Sequence, residues 1–523
     1  MGSLLSTLPS TYELIIASVC LFVTLGLSVP LRALQRKLRI AQGLAPIPGS
    51  KGTFLLGNMP ELMRHQHRIY DYLEESLKAC GGRMKTPWHL FYDGSLYITD
   101  PVDVEHVLAT NFNNYIKPQG FIDAFREVFE HSFFALSHAH TPDNGAKWRL
   151  QRKVASKVFT TTNFKYFTEQ VFTKYARAIA ERLESEGSCD MQEVSAEYTL
   201  TSIFDIAFGT ELSRFMDPER FAARMNFVNE HCASRIFIKQ YYKWFRWVMP
   251  SEYRVQQYTA EIRAIADQIL LERLTEPAEK LKARSDILSL FIKKARELDD
   301  ESAELLSPET LRAIILTFLF AGRDTTAECI TYMFYALARH PETQQKILDE
   351  LEAASASMPG QGTETLSYDL VKQLKYLDAV AYETVRLYPS LPYNVRHAVH
   401  DDHLPDGTFV PAGVDVVYSP WYMGRNEAFW GKDALDFRPE RWLERKTRPT
   451  AFEFPAFHGG PRVCLGMNMA LLEAKIFTLV LLRNFHVQIT DGEPKERGYV
   501  LKSGLFMDGG LPLTLRPRAR AHT

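Results

Sequence analysis

A chain of 523 residues, 46% hydrophobic and 12% aromatic, carries enough apolar material for an extensive core around a bulky ligand. Its formal net charge of −2, from 61 basic and 63 acidic residues, leaves no broad positive field to attract nucleic acid. The 6 cysteines contain no C-x-x-C pair and no C-x-x-C-H site, which argues against a disulfide framework, a zinc cluster and covalent haem attachment. No composition shift divides the chain, so its body reads as one large domain in a reducing compartment.

From the N-terminus, Leu14 to Leu31 (LIIASVCLFVTLGLSVPL) is free of charge and would span about 27 Å as a helix, close to the hydrocarbon core of a bilayer. Arg32, Arg36, Lys37 and Arg39 follow it and no Lys or Arg precedes it. The positive-inside rule then puts the body in the cytoplasm, whereas a cleaved signal peptide would carry its basic residues on the other side. The expected organisation is a lumenal segment (1–13), a transmembrane anchor (14–31), a basic and proline-rich linker (32–50) and the main domain (51–523). Met1-Gly2-Ser3-Leu4-Leu5-Ser6 meets the myristoylation pattern, but the adjacent span would carry that glycine to the lumen. Ala45-Pro46-Ile47-Pro48-Gly49 is a stiff extended connector.

Phe91 to Ile98 predicts a β-hairpin around Asp93-Gly94, one of few strand signals in a chain dominated by helical periodicity. Phe121, Phe125 and Phe129 recur at spacing four, with Phe133 and Phe134 beyond, and predict an apolar stripe on one helix face. Ser307-Pro308-Glu309 predicts the start of a helix that runs to Arg339, where His340-Pro341 stops it. Inside it, Ala321-Gly322-Arg323-Asp324-Thr325-Thr326 interrupts an apolar run with a glycine, two charges and two hydroxyls. Two readings fit: a core helix whose hydroxyls bond back to carbonyls four residues earlier, or a groove in which an acid and an alcohol relay protons. Glu383 and Arg386, three apart on one helix face, read on spacing alone as a solvated pair.

Phe457-His458-Gly459-Gly460-Pro461-Arg462-Val463-Cys464-Leu465-Gly466 sets one cysteine in a glycine-punctuated loop ahead of an apolar helical run from Met467. Glycines let the backbone approach a flat ring, and the helix N-terminus behind the loop favours thiolate over thiol. That suits a haem iron, onto which a thiolate ligand pushes electron density. Phe-x-x-Gly-x-Arg-x-Cys-x-Gly resembles the haem-binding signature of the cytochrome P450 family. The resemblance implies a mainly α fold with a small β region, haem b as cofactor, and Cys464 as the iron ligand beside Phe457. Ala321 to Thr325 resembles the family's oxygen-handling motif, which makes Asp324 the acid and Thr325 the hydroxyl of a proton relay. Trp148 and Arg152 match Trp-x-x-x-Arg, and with Arg396 and Arg462 they are implied as partners of the haem propionates. Tyr382 to Pro389 resembles the Glu-x-x-Arg segment and Phe437 to Trp442 its companion, so the resemblance turns Glu383, Arg386 and Arg441 into a buried network.

Leu136 to Pro142 is a few residues longer than the family's usual passage, and His138 and His140 within it read as loop histidines rather than ligands. The family places the phenylalanine stripe over the haem, which implies an apolar pocket and a lipophilic substrate. AGRDTTA, ETVRLYPSLP, FRPERW and FHGGPRVCLG look most like long-chain fatty acid and alkane hydroxylases of fungi and plants. No nucleotide-binding fingerprint follows a strand, so electrons must come from a partner, by resemblance an NADPH-dependent cytochrome P450 reductase. Arg149, Lys153 and Lys157 form its expected docking face, or a merely solvated one. The expectation is a single-pass protein of the endoplasmic reticulum membrane that inserts one oxygen atom into a C–H bond. A haem-thiolate isomerase or dehydratase acting on peroxides, and a non-enzymatic haem sensor or carrier, are the rival classes.

Overall fold

Six helices and two short sheets position the site in the computed structural model, which describes residues 31–53, 56–88, 92–138, 141–238, 246–297, 307–358, 366–492, 497–502 and 504–518. The helices are α1 (Pro142–Ser156), α2 (Met191–Phe208), α3 (Pro218–Ile238), α4 (Pro308–Arg339), α5 (Lys375–Leu387) and α6 (Met467–Asn484). Helix α4 starts where the sequence predicts it. The Ser307 Oγ accepts from the Thr310 N–H at 3.2 Å, satisfying a donor that the first turn leaves free, and Pro308 tolerates a position where its missing N–H costs nothing. At 32 residues α4 is about 48 Å long and packs against α2, α5 and α6.

Between Ala313 and Leu337 every residue of α4 is buried except Ala321, Gly322 and Thr325. These three fall at spacing one and four, on one side of the helix, so one face of its middle is left only partly covered. Gly322 has a second reason to lack a side chain: a Cβ there would lie 3.1 Å from Ile203 of α2. The glycine that the sequence suggests for ligand access thus also lets two helices approach closely.

The larger sheet runs in the order β1 (Met84–Thr86), β2 (Ser95–Ile98), β5 (Asp415–Tyr418), β4 (Asn394–Ala398), β3 (Tyr115–Ile116). Only β2 and β5 are parallel, with Ser95 opposite Asp415. The hairpin predicted at 91–98 is shifted: β2 pairs with β1, Met84 opposite Tyr97, and Asp93-Gly94 closes an eight-residue connection between them. A second hairpin, β6 (Tyr499–Leu501) and β7 (Leu505–Met507), lies against α4 through the Leu505 N–H, which donates to Glu328 at 3.1 Å.

The phenylalanine stripe lies on two short helices, Gln119–Ala124 and Arg126–Phe129, rather than one, because the backbone breaks at Phe125. The rings still gather: Phe129 lies 4.4 Å from Phe134, and Phe133 lies 5.8 Å from Phe318 of α4. The predicted anchor, Leu31 excepted, lies outside the described residues, as does His140. No helix among the described residues is long and apolar enough to cross a membrane.

Candidate haem pocket

The loop that carries Cys464 is closed on itself by the Cys464 N–H, which donates to the Phe457 carbonyl at 2.9 Å. Gly460 adopts φ +61°, and a Cβ there would sit 2.1 Å from the Leu108 carbonyl oxygen, so only glycine lets the loop seat against that neighbouring turn. Helix α6 begins at Met467, immediately behind the sulfur. By surface area Cys464 is exposed, yet burial is the largest influence on its thiol.

The thiol's electrostatics correct one expectation. The N–H groups of Gly466 and Met467 and the Arg152 guanidinium do pull its pKa down, as the helix terminus predicts. Burial outweighs them, and the net shift is upward from the ordinary value of 9.0. A metal bound at the sulfur would deprotonate the thiol outright.

Four cations flank this loop. Arg152 of α1 donates to the Val463 carbonyl, tying α1 to the cysteine loop. Arg462 donates to the Leu136 carbonyl at 2.7 Å and lies 4.7 Å from the Trp148 ring. Arg396 is buried by strand alternation in β4 and, among the described residues, donates only to its neighbour's carbonyl, Val395, at 2.9 Å. Lys117, which the sequence does not single out, donates to the Phe134 carbonyl at 2.6 Å and stands over the Phe134 ring at 3.6 Å. Burial, then Arg462 and Arg396, drive the Lys117 ammonium well below its ordinary pKa. None of the four is in an ion pair among the described residues. Among the described residues the buried Trp148 Nε1 and Arg462 Nε have no acceptor.

Buried cations without anions, together with orphaned donors, are costly unless a ligand supplies the acceptors. An iron porphyrin fits these residues: two carboxylates for the cations and indole, and an iron for the sulfur.

His138 is the loop histidine expected, but a buried one. It stacks on Phe112 at 3.7 Å, its Nε2 lies 2.9 Å from the Phe112 carbonyl, and Arg462 Nη2 is 3.4 Å from its Nδ1. Burial and Arg462 push its pKa down to about 4.

On α4, Thr325 Oγ1 donates to the Ala321 carbonyl at 2.8 Å, the back-bonded arrangement, while its side chain remains on the half-exposed face. Asp324 is held on both sides: the Asn229 amide of α3 donates to Oδ2 at 2.6 Å and Arg323 to Oδ1 at 2.8 Å, and Arg323 also reaches Asn226. The two asparagines escape sequence reasoning because nothing in their spacing sets them apart from an ordinary polar helix face.

The pair Glu383 and Arg386 is fully buried, against the reading from spacing alone. Glu383 accepts from Arg386 Nε and Nη2, both at 2.7 Å, from Arg441 Nε at 2.8 Å and from the Trp442 indole at 2.9 Å. Arg149 and Lys153 of α1 and Lys157 just beyond its end are exposed.

A family-wide sequence profile, Cytochrome P450, matches residues 47–507. The chain is similar to Cytochrome P450 704C1 of Pinus taeda, 32% identical over 499 residues, with 90% of this chain and 93% of that protein covered. Cytochrome P450 704B1 of Arabidopsis thaliana is 32% identical over 516 residues, covering 90% and 95%. Cytochrome P450 CYP94D109 of Paris polyphylla is 32% identical over 437 residues, covering 79% and 84%.

Proposed function

The chain belongs to the cytochrome P450 family and is a haem-thiolate monooxygenase carrying haem b, and from that premise we propose that it hydroxylates a long-chain lipophilic substrate with electrons from a membrane-bound NADPH-dependent reductase. The observation that carries the reading is the Cys464 loop, tied to Arg152 and flanked by Arg462, Arg396 and Lys117, cations with no ion-pair partner among the described residues.

Haem b, when bound, supplies the activation of dioxygen and the oxidising power for attack on a C–H bond. Cys464 would ligate its iron; Trp148, Arg152, Arg396 and Arg462 would hold its carboxylates, and Phe457, whose carbonyl accepts from the Cys464 N–H, would help present the sulfur. Thr325 is the proposed proton donor at the pocket face. To serve, its hydroxyl must rotate away from the Ala321 carbonyl, a change of one side-chain torsion. Asp324 is the proposed acid behind it. Its carboxylate must exchange the Asn229 or Arg323 contact for Thr325 or water, so movement of α3 would govern proton supply.

The phenylalanines at 125, 129, 133 and 134 offer an apolar wall, which supports a lipophilic substrate. The exposed cations of α1 at 149, 153 and 157 suit an acidic reductase surface, and anchorage in the endoplasmic reticulum membrane by residues 14–31 belongs to the same proposal.

The test is turnover of fatty acids and alkanes by the full chain in microsomes with reductase and NADPH. A product heavier by one oxygen atom, and absent without NADPH, is expected. Rearranged product of unchanged mass that forms without NADPH would instead assign the peroxide isomerase class.

A further inference from the structure

We infer that His458, oriented by Tyr418, is an additional haem-holding residue that donates its Nε2 proton to a haem carboxylate. The inference concerns the resident cofactor alone and stands whichever substrate the enzyme takes.

His458 sits at φ +60°, ψ −167°, one of two non-glycine residues with positive φ among the described residues. That region suits glycine almost exclusively, and this loop uses glycine freely at 459, 460 and 466. An imidazole is therefore kept here against the preference of its backbone. Such strain is expected where the side chain has work to do.

Its partner determines which nitrogen carries the proton. Nδ1 lies 2.7 Å from the Tyr418 hydroxyl, and Tyr418 is fully buried at the end of β5. Burial raises the pKa of that phenol, so the hydroxyl keeps its proton and can donate it to Nδ1. The imidazole's own hydrogen then belongs on Nε2.

The charged groups facing the ring are Arg396, Lys117, Arg462 and Arg152, and no carboxylate is among them. With burial they push its pKa down to about 3. A fifth cation would add repulsion; an uncharged N–H adds a hydrogen bond without it. Trp148 Nε1, also an uncharged donor with no protein partner, is the counterpart on α1.

The test uses the full chain loaded with haem, reading haem transfer to excess apomyoglobin and the ferric/ferrous reduction potential. His458→Gly suits the backbone, so the variant should keep its circular dichroism, yet lose haem roughly tenfold faster. Its potential should fall, because a carboxylate with one donor fewer holds more negative charge near the iron. Tyr418→Phe should move both readouts in the same direction, and His458→Asn, which tolerates positive φ and retains an N–H, should recover part of the loss. Wild-type haem loss and potential in His458→Gly would overturn the inference. So would faster haem loss that His458→Asn leaves uncorrected, which would mark mere filling of space. Should His458→Gly fail to fold, Tyr418→Phe decides on the same two measurements, unchanged values overturning the assignment.

Discussion

Cys464 combines two properties that rarely coincide, deep placement and an accessible sulfur, and its thiol is pushed up rather than down. Replacing it with alanine should leave a folded protein whose ferrous carbon-monoxide spectrum no longer shows a thiolate ligand; an unchanged spectrum would refute the assignment. His138 makes a different kind of contribution. Its folded pKa of about 4 lies below the ordinary 6.5, so the native state binds fewer protons than the unfolded chain in that window. The associated stability is complete above pH 6.5 and is lost as pH falls toward 4. Thermal unfolding should therefore drop in temperature between pH 7 and pH 5, and His138→Asn should flatten that slope while lowering stability at pH 7 through the lost stacking on Phe112.

Helix α4 does two jobs that pull against each other. Packing requires small residues against α2, as at Gly322, while the proposed relay would require polar groups in the middle of a buried rod. Thr325→Ala removes only a hydroxyl from the half-exposed face and should hardly affect folding. Product formed per NADPH consumed should nevertheless fall by ~10-fold or more, as the loss of a positioned proton donor does, with peroxide appearing instead. Asn229→Leu should loosen Asp324 from α3 and alter the solvent isotope effect on turnover; an unaltered effect would show that the Asn229 contact does not govern proton delivery. Helix α5 carries the opposite kind of motif. Glu383 accepts from Arg386, Arg441, Trp442 and the Arg438 N–H, so Arg441→Leu strands part of a buried charge network. A loss of about 3–5 kcal/mol is expected in chemical denaturation, with reduced haem content following from a misplaced cysteine loop.

At the scale of the whole molecule, the pocket is an electrostatic debt held by the fold: Lys117, Arg152, Arg396 and Arg462 come from four separate segments and repel one another across one space. Haem binding should relieve that repulsion as well as fill the volume. Removing haem from the purified protein should lower its unfolding temperature, and adding salt should recover more stability in the apoprotein than in the holoprotein, because ions screen only the unpaired cations. An equal salt response in both forms would show that the cations are solvated rather than waiting for carboxylates.

Much of this was legible from residues alone. The limits of α4, its Ser307 cap and the cysteine loop follow from local signals, since caps, prolines and glycine-bounded loops act within a few residues of themselves, whereas Trp148, Arg152, Arg396 and Arg462 are marked out only by the family resemblance. Three-dimensional packing decided the rest. Spacing cannot tell a solvated Glu383–Arg386 pair from a buried one, because burial depends on Arg441 and Trp442, more than fifty positions away. Nor can it assemble Lys117, His458 and Tyr418, which share a pocket only once β5 and the cysteine loop meet. The thiol made the same point in reverse. Sequence supplied the helix terminus that lowers its pKa, and folding supplied the burial that overrides it, because desolvation is set by everything packed around an atom rather than by its neighbours along the chain.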